Sequence, residues 1–507
     1  MRNIFFSILL LKLSFGISQA YLFGDFQQRY PIEKQLYLKN QYHSISKPIL
    51  LDSGLKKLMQ MGIWPYGNLS NNDKFVVLPV IDAGLKHNST GQDFANALSM
   101  GAQLNYSNNK WNTQWRFGYS LGTLSRYESS NLIKRPFVPG IGYLSNDTSF
   151  TYSLPLMEGY ISYQPHRFFH LSGGVGKNII GDGYRSIFLS DYAPAYPFLK
   201  MESTFWKVKY INLWSLHHDR NTASFTNQKW SSLHVLSFNV TKWLNLSLFE
   251  SVVWQGKDTL NNRGFDYNYL NPFIFFRPVE YGIGSSDNSF FGGGLKIRLP
   301  KKIILYQHLI LDEFLLSAYQ DGDSTGWWGN KYGFQLGMRF FDLFGIDGLY
   351  ALAEWNAVRP FTYSHMNSMQ NYGHRNQSLA HPLESNFHEV LAILGYQKNN
   401  LDFWVKYAYQ HFGRDFQNNN FGGDMFQPYT SRAGGDFGHE IGQGNTINQH
   451  QFEIRASLLL VALSNTKLFT QFNYRYNTSI SLNNTVAESA LFSVGITSNL
   501  WQSYLDY

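Results

Sequence analysis

Three segments of this chain hold residue types suited to gripping a sugar. Arg263, Asp266, Tyr269, Asn271, Arg277 and Glu280 fall within one polar, aromatic stretch, and Arg185, Arg359, His365, Tyr372, His374, His381 and Asn386 lie in two others. Arginine, asparagine and aspartate fork hydrogen bonds to vicinal hydroxyls, and a tyrosine ring stacks on the apolar face of a sugar. The same types also build a salt-bridged plug that only seals a pore, and residue chemistry alone leans toward that plug. In the sugar-binding reading, Arg263, Asp266, Tyr269, Arg359, His365, Tyr372 and His374 converge on one site.

Other chemistries are less well served. His365, His374, His381 and His388, with Asp182 and Asp191, match no compact ligand spacing, and Pro360 and Pro382 argue against a helix that would align two histidines. No metal or other cofactor is expected. Gly173, Gly174, Gly176 and Lys177 resemble the end of a phosphate-binding loop, but Asn178 stands where a Ser or Thr hydroxyl would be needed. Strand geometry accounts better for these glycines. No nucleophile elbow is read, paired carboxylates are not recognisable from spacing, and the chain is expected not to be an enzyme.

Strands of alternating character must position these segments. From Trp111 to Leu121, Trp111, Thr113, Trp115, Phe117, Tyr119 and Leu121 fall on one face, and Asn112, Gln114, Arg116, Gly118 and Ser120 on the other. Leu98 to Tyr106 repeats the pattern and joins it through a short turn at Ser107 to Asn109, which makes a hairpin. Trp206, Val208, Tyr210 and Trp214 oppose Lys207 and Lys209; Tyr332 to Phe340, Leu401 to Tyr409, Phe452 to Leu458, Leu468 to Tyr476 and Phe492 to Leu500 alternate likewise. A water-soluble sandwich would bury the aromatic face. In a transmembrane β-barrel that face meets lipid and the other meets a wet lumen, so the fold class is all-β, an antiparallel barrel of about 18 strands. A charge on the lumen face, as at Gln114 or Gln335, should then be mild, and one at Phe117 or Leu336 costly.

Export is read from the start of the chain. Arg2, the apolar run Ile4 to Leu11, and Ser18-Gln19-Ala20 form a secretory signal over residues 1–20. Residues 21–74 do not alternate and are expected to form a periplasmic segment with a short helix near Gly54 to Met61, packed on or under the barrel of residues 75–507. No apolar run is long enough for a helical span. The 17% aromatic content suits interfacial girdles, and the absence of cysteine suits an exported barrel whose closure pairs every strand. The net charge of +7 is too small and scattered to argue for nucleic acid. Stretches of roughly 177–202, 255–288, 359–386 and 411–449 are too long for turns and should be extracellular loops or an inward-folded plug.

Those loops carry a resemblance. Gly181-Asp182-Gly183-Tyr184-Arg185-Ser186 leads to Leu189-Ser190-Asp191-Tyr192-Ala193-Pro194; then come Asn262-Arg263-Gly264-Phe265-Asp266, Tyr269-Leu270-Asn271-Pro272, Arg359-Pro360-Phe361-Thr362-Tyr363-Ser364-His365, Asn371-Tyr372-Gly373-His374, Leu379-Ala380-His381-Pro382 and Asn386-Phe387. With these phrases the chain resembles the RemB group of gliding-motility proteins of Bacteroidetes, which looks like a branch of the Wzi capsule-assembly family of outer-membrane barrels. The resemblance implies a non-enzymatic protein of the bacterial outer membrane with a small periplasmic module. Its surface would engage extracellular or capsular polysaccharide, with a role in motility or adhesion. The partners it implies are that polysaccharide, outer-membrane lipid, and motility or secretion components. Two competing functions stay open: a diffusion porin for small solutes, whose lumen would be open, and an assembly partner of a secretion or motility machinery.

Overall fold

The computed structural model describes residues 20–22, 26–38, 43–51 and 74–498, apart from 90–92, 109, 130–134, 136, 146–148, 220–227, 258–262, 273–286, 315–325, 462–463 and 480–484. Eighteen strands form a closed antiparallel barrel. In chain order they are β1 (Lys74–Asn88), β2 (Asp93–Ser107), β3 (Trp111–Thr123), β4 (Thr151–His166), β5 (Phe169–Gly176), β6 (Tyr196–Phe205), β7 (Val208–His218), β8 (Gln228–Asn239) and β9 (Leu244–Gln255). The second half comprises β10 (Asn288–Leu299), β11 (Ile303–Glu313), β12 (Lys331–Phe341), β13 (Leu349–Val358), β14 (Phe387–Lys398), β15 (Leu401–Arg414), β16 (Asn445–Val461), β17 (Thr466–Ser479) and β18 (Thr485–Thr497). Each strand pairs with its sequence neighbours, and β18 closes the ring on β1, from Leu491 opposite Asn88 to Thr497 opposite Asp82.

The alternation read from sequence is the pleat of these strands. On β3, Phe117, Tyr119 and Leu121 are exposed, whereas Arg116 points inward and donates from Nε to Gln103 Oε1 of β2 at 2.7 Å. On β12, Leu336 and Met338 are exposed and Gln335 and Arg339 are buried. Lys209 looks inward, as expected, and pairs with Glu202 at 2.9 Å. Among the described residues no helix is long and apolar enough to cross a membrane. The closed barrel, which pairs its backbone groups between strands, is a structure that can cross one. Short turns gather at one end, as at 167–168, 206–207 and 399–400, and the long loops at the other. In outer-membrane barrels the short-turn end is periplasmic.

The main apolar core lies inside the barrel, where the alternation rule alone predicts water. Ile180, Ile187, Phe188 and Leu189 from the 177–195 loop, and Tyr363, Tyr372, Leu379 and Leu383 from the 359–386 loop, pack on inward-facing Leu213, Val235, Phe249 and Phe290. Phe188 stacks on Phe249 with ring centroids 4.5 Å apart. Each such buried ring or branched side chain contributes about 1.5–3 kcal/mol.

Several expectations need correction. Residues 196–202 are strand β6, the 411–449 stretch includes the ends of β15 and β16, and the loop at 124–150, not anticipated, sends Leu124, Phe137 and Leu144 into the core. The helix expected at 54–61 lies outside the described residues. A helix, α1, forms instead at Phe26–Leu38 with Pro31 inside it. Proline removes a helical hydrogen bond, so local sequence argues against this helix. It is held by tertiary contacts: Phe26 and Tyr30 are buried against Tyr184, Phe341, Tyr350 and Trp404 in the lumen. Lys34 pairs with Asp342 at 2.6 Å and Asp347 at 2.8 Å in the β12–β13 turn. The described part of the segment, residues 26–38 and 43–47, thus enters the periplasmic mouth of the barrel.

Candidate functional site

The tip of the 177–195 loop crosses the lumen and meets the far wall through one buried network. Arg185 donates from Nε and Nη2 to the two oxygens of Glu389 on β14, at 3.2 and 3.1 Å. His381 Nε2 lies 2.9 Å from Glu389 Oε2, and Gln410 of β15 donates to Oε1 at 2.8 Å. Glu354 of β13 accepts from the backbone N–H groups of Tyr184 and Arg185 and from the Tyr306 hydroxyl. Gly183 permits this approach, since a Cβ there would lie 2.3 Å from Glu354 Oε2. Asn386 ties the outer loops together: its amide donates to Gln443 O at 2.9 Å and its carbonyl accepts from Gly442 N at 2.7 Å. Tyr372 is buried between Phe290 and Tyr363, and His374 Nδ1 accepts from His218 N at 3.1 Å. Arg185, Tyr372, His374, His381 and Asn386 are at most 2% exposed. They build a plug, and no sugar reaches them while it is seated.

The second segment lies on the other side of the wall. The pairing register puts Asn212, Trp214, Ser232, His234, Glu250, Val252 and Trp254 on the outward face of β7–β9. Residues 263–272 lie against that face. Tyr269 O accepts from Trp214 Nε1 at 2.8 Å and Ser232 Oγ at 3.0 Å, and Asn212 donates to Pro272 O at 3.0 Å. Tyr269 packs with Val252 and Trp254, flanked by Trp230 and Phe265. Arg263 forks onto Asp287, with Nη1 2.8 Å from Oδ2, and reaches Asp266, which caps the turn at Asn268 N. Burial and the Asp287 carboxylate hold the Tyr269 phenol far above its ordinary value, so it donates to Asp287 at 2.8 Å. Trp214, expected to face lipid, is therefore covered by protein. The seven residues expected to converge are divided by the barrel wall, with Arg263, Asp266 and Tyr269 outside it, beside Asn271. Arg277 and Glu280 lie outside the described residues.

A third group sits on the extracellular side and was missed from sequence. The Trp328 ring lies 4.9 Å from that of Tyr429, and the Arg432 guanidinium sits 4.4 Å over Trp328. Arg359 braces this shelf from below by donating to Trp327 O at 3.3 Å and His439 O at 3.0 Å, and the His365 ring meets Tyr429 edge-on at 5.9 Å. Trp327, Trp328, Tyr429 and Arg432 are half-buried, and Phe437 nearby is 50% exposed. Two adjacent tryptophans between Gly326 and Gly329 in a polar loop were the available signal. Their partners lie about a hundred residues away, so spacing could not join them.

One hydrolase-like spacing passed over in the sequence reading is Gly118-Tyr119-Ser120-Leu121-Gly122. It lies within β3, and Ser120 Oγ is engaged with Ser99 Oγ at 2.7 Å, where a nucleophile elbow would need a sharp strand-to-helix turn. The glycines at 173–176 belong to β5; a Cβ on Gly174 would lie 2.1 Å from Gly159 O.

Burial also sets how the plug responds to acid. It lowers His365 to about 4, helped by Lys331, holds His374 well below its ordinary value, and lowers His381 despite the pull of Glu389. A histidine depressed in the folded state stabilises fully above its unfolded pKa of about 6.5 and loses that contribution as pH falls toward the folded value. The plug should therefore loosen between about pH 6.5 and pH 4. Protease cleavage within 359–386 and ion conductance in planar bilayers should both rise over that window; flat responses would contradict the assignment.

A closed eighteen-strand barrel with an apolar outer belt, short turns at one end and a filled interior is a protein of the bacterial outer membrane. No protein-family model and no curated protein sequence matches the chain. Among solved structures it is similar to Wzi, an outer-membrane protein involved in group 1 capsule assembly in Escherichia coli and described as a carbohydrate-binding β-barrel. The identity is 12% over 94% of this chain and 98% of that one, with a TM-score of 0.57. OprD of Pseudomonas aeruginosa matches at 10% identity over 83% and 94% of the two chains, TM-score 0.42, and OccAB2 of Acinetobacter baumannii at 9% over 85% and 99%, TM-score 0.44. At these identities the likeness concerns the fold.

Proposed function

We propose that this protein holds capsular or exopolysaccharide at the cell surface, without catalysis, through its extracellular loops. The observation that carries the reading is the half-buried shelf of Trp328, Tyr429 and Arg432 set above a plugged lumen. An indole and a phenol offer flat apolar faces to a sugar ring, and a guanidinium beside them reaches its hydroxyls or a uronate. The carbohydrate binding of Wzi, whose fold this chain shares, supports the class of ligand. A role in gliding or adhesion, with motility or secretion components as partners, rests on the loop phrases that resemble the RemB group.

Trp328→Ala and Arg432→Ala should each weaken retention of surface polysaccharide by on the order of 1–3 kcal/mol, roughly a 5- to 150-fold change in affinity, with barrel yield unchanged. A pull-down of labelled polysaccharide by intact cells reads this directly. Bilayer recordings of the purified protein should show a closed lumen at neutral pH. Unchanged retention in both variants, together with steady open conductance in the wild type, would favour a diffusion porin.

A further inference from the structure

At the opposite, periplasmic end of the lumen, α1 and the 43–47 segment close over β10–β12 and leave a cavity of about 20 Å³. That is room for one or two waters. Its charged lining comes from Glu33, Asp182, Lys296, Arg298 and Arg339. Lys296 donates to Asp182 Oδ1 at 2.9 Å and to Ser44 Oγ at 2.8 Å. Arg339 pairs with Glu33 and donates to Asp182 O at 2.8 Å, while Arg298 donates to Tyr37 O.

Positive charge is in excess here. Lys47 lies 3.9 Å from Glu33 and donates to Gly181 O. Arg29, one helical turn before Glu33 and so on the same face of α1, is 5% exposed, and its Nε and Nη2 have no hydrogen-bond partner among the described residues. Arg339 Nε has none either. Five cations, Arg29, Lys47, Lys296, Arg298 and Arg339, thus face four carboxylates, Glu33, Asp182, Asp191 and Glu354. Burial pushes the Lys47 ammonium down to about 7, opposed by Asp182 and reinforced by Arg29 and Lys296. Asp182 is already committed: burial alone would raise it, but Lys296, His308 and Lys47 hold it far below the usual carboxylate range.

An arginine cannot escape this crowding by losing its proton, and a buried guanidinium with open donors is costly. We infer that the mouth pocket lined by Lys296, Arg298 and Arg339, with Arg29 and Lys47 buried beside it, is a binding site for a small oxyanion entering from the periplasm. The ligand would be the carboxylate of an acidic sugar or a phosphate group. Its end group would displace the cavity water and accept from the open Nε of Arg339, with Arg29 adding positive charge from beside the cavity, while the rest of the molecule stays in the mouth. This site is separate from the extracellular shelf and does not depend on the function proposed for it.

The test is calorimetric titration of the full chain in detergent at low ionic strength with glucuronate, inorganic phosphate and, as the neutral control, glucose. At least one anion should bind, glucose should not, and Arg29→Gln and Arg298→Gln should each weaken the anion by tenfold or more. Binding of glucuronate alone identifies a sugar acid as the ligand class, and binding of phosphate, with or without glucuronate, identifies phosphate. Heat-modifiable gel mobility shows whether each variant is a folded barrel. If neither anion binds, or if folded Arg29→Gln and Arg298→Gln bind like wild type, the pocket is a structural seam between α1 and the barrel.

Discussion

Arg185→Met is expected to unseat the plug at a cost of about 3–5 kcal/mol, the range for breaking a buried ion pair from one side. The substitution keeps most of the side-chain volume but leaves the Glu389 carboxylate fully buried with the neutral donors Gln410 and Asn356, and His381, as its close partners. Glu389→Gln in the same chain removes the orphaned charge and should recover a large part of the loss, because replacing both partners costs far less than removing one. Urea titration followed by tryptophan fluorescence measures the stability, and bilayer conductance reports whether the lumen has opened. A single variant within about 0.5 kcal/mol of wild type would show that the pair does not hold the plug.

Leu336→Arg and Phe117→Arg should each cost about 2–4 kcal/mol, since both residues sit at the middle of their strands and are exposed on the outer face. The penalty comes from placing a guanidinium in hydrocarbon, so it should fall toward about 0–1 kcal/mol for Phe340→Arg, next to the periplasmic turn. Unfolding in lipid vesicles gives the comparison, and a series with no dependence on depth would mean that the outer face is wrongly assigned. The lumen control should not behave as the strand pattern suggests. Gln335 is fully buried, hydrogen-bonded to His308 at 2.7 Å, Asn356 at 2.8 Å and the Arg185 carbonyl at 3.2 Å. Gln335→Arg should therefore be destabilising too, by overpacking at about 1–3 kcal/mol, where alternation alone predicts tolerance.

The barrel itself was legible because its pattern is local. A strand shows its two faces at period two, and Trp111 to Leu121 or Tyr332 to Phe340 separate lipid-facing from inward residues with no knowledge of their partners. The bacterial outer membrane followed from the same pattern, and the long loops from where it stops. Near β7–β9 the pattern blurs, with Leu213, Val235 and Phe249 apolar on the inward face and Trp214 and Trp254 on the outward one. Both faces of this wall are covered by protein, which a single strand cannot announce.

The candidate site was legible in residue types but not in place. Arg185 and Tyr269 come from equally polar, aromatic loops, yet one crosses the lumen to Glu389 and the other lies against the outer wall under Asp287. Which way a loop folds depends on the groups waiting on each face, and those belong to strands up to two hundred residues away. The same holds for α1, whose Pro31 argues against a helix until Phe26 and Tyr30 find Tyr184 and Tyr350 in the lumen, and for Trp328, which gains Tyr429 and Arg432 only when two loops meet. Sequence by itself determined the strand faces and the fold class, because those depend on short-range periodicity. Tertiary structure alone decided that the lumen is filled and which residues meet, because burial and ion pairing are set by long-range contacts that no local pattern encodes.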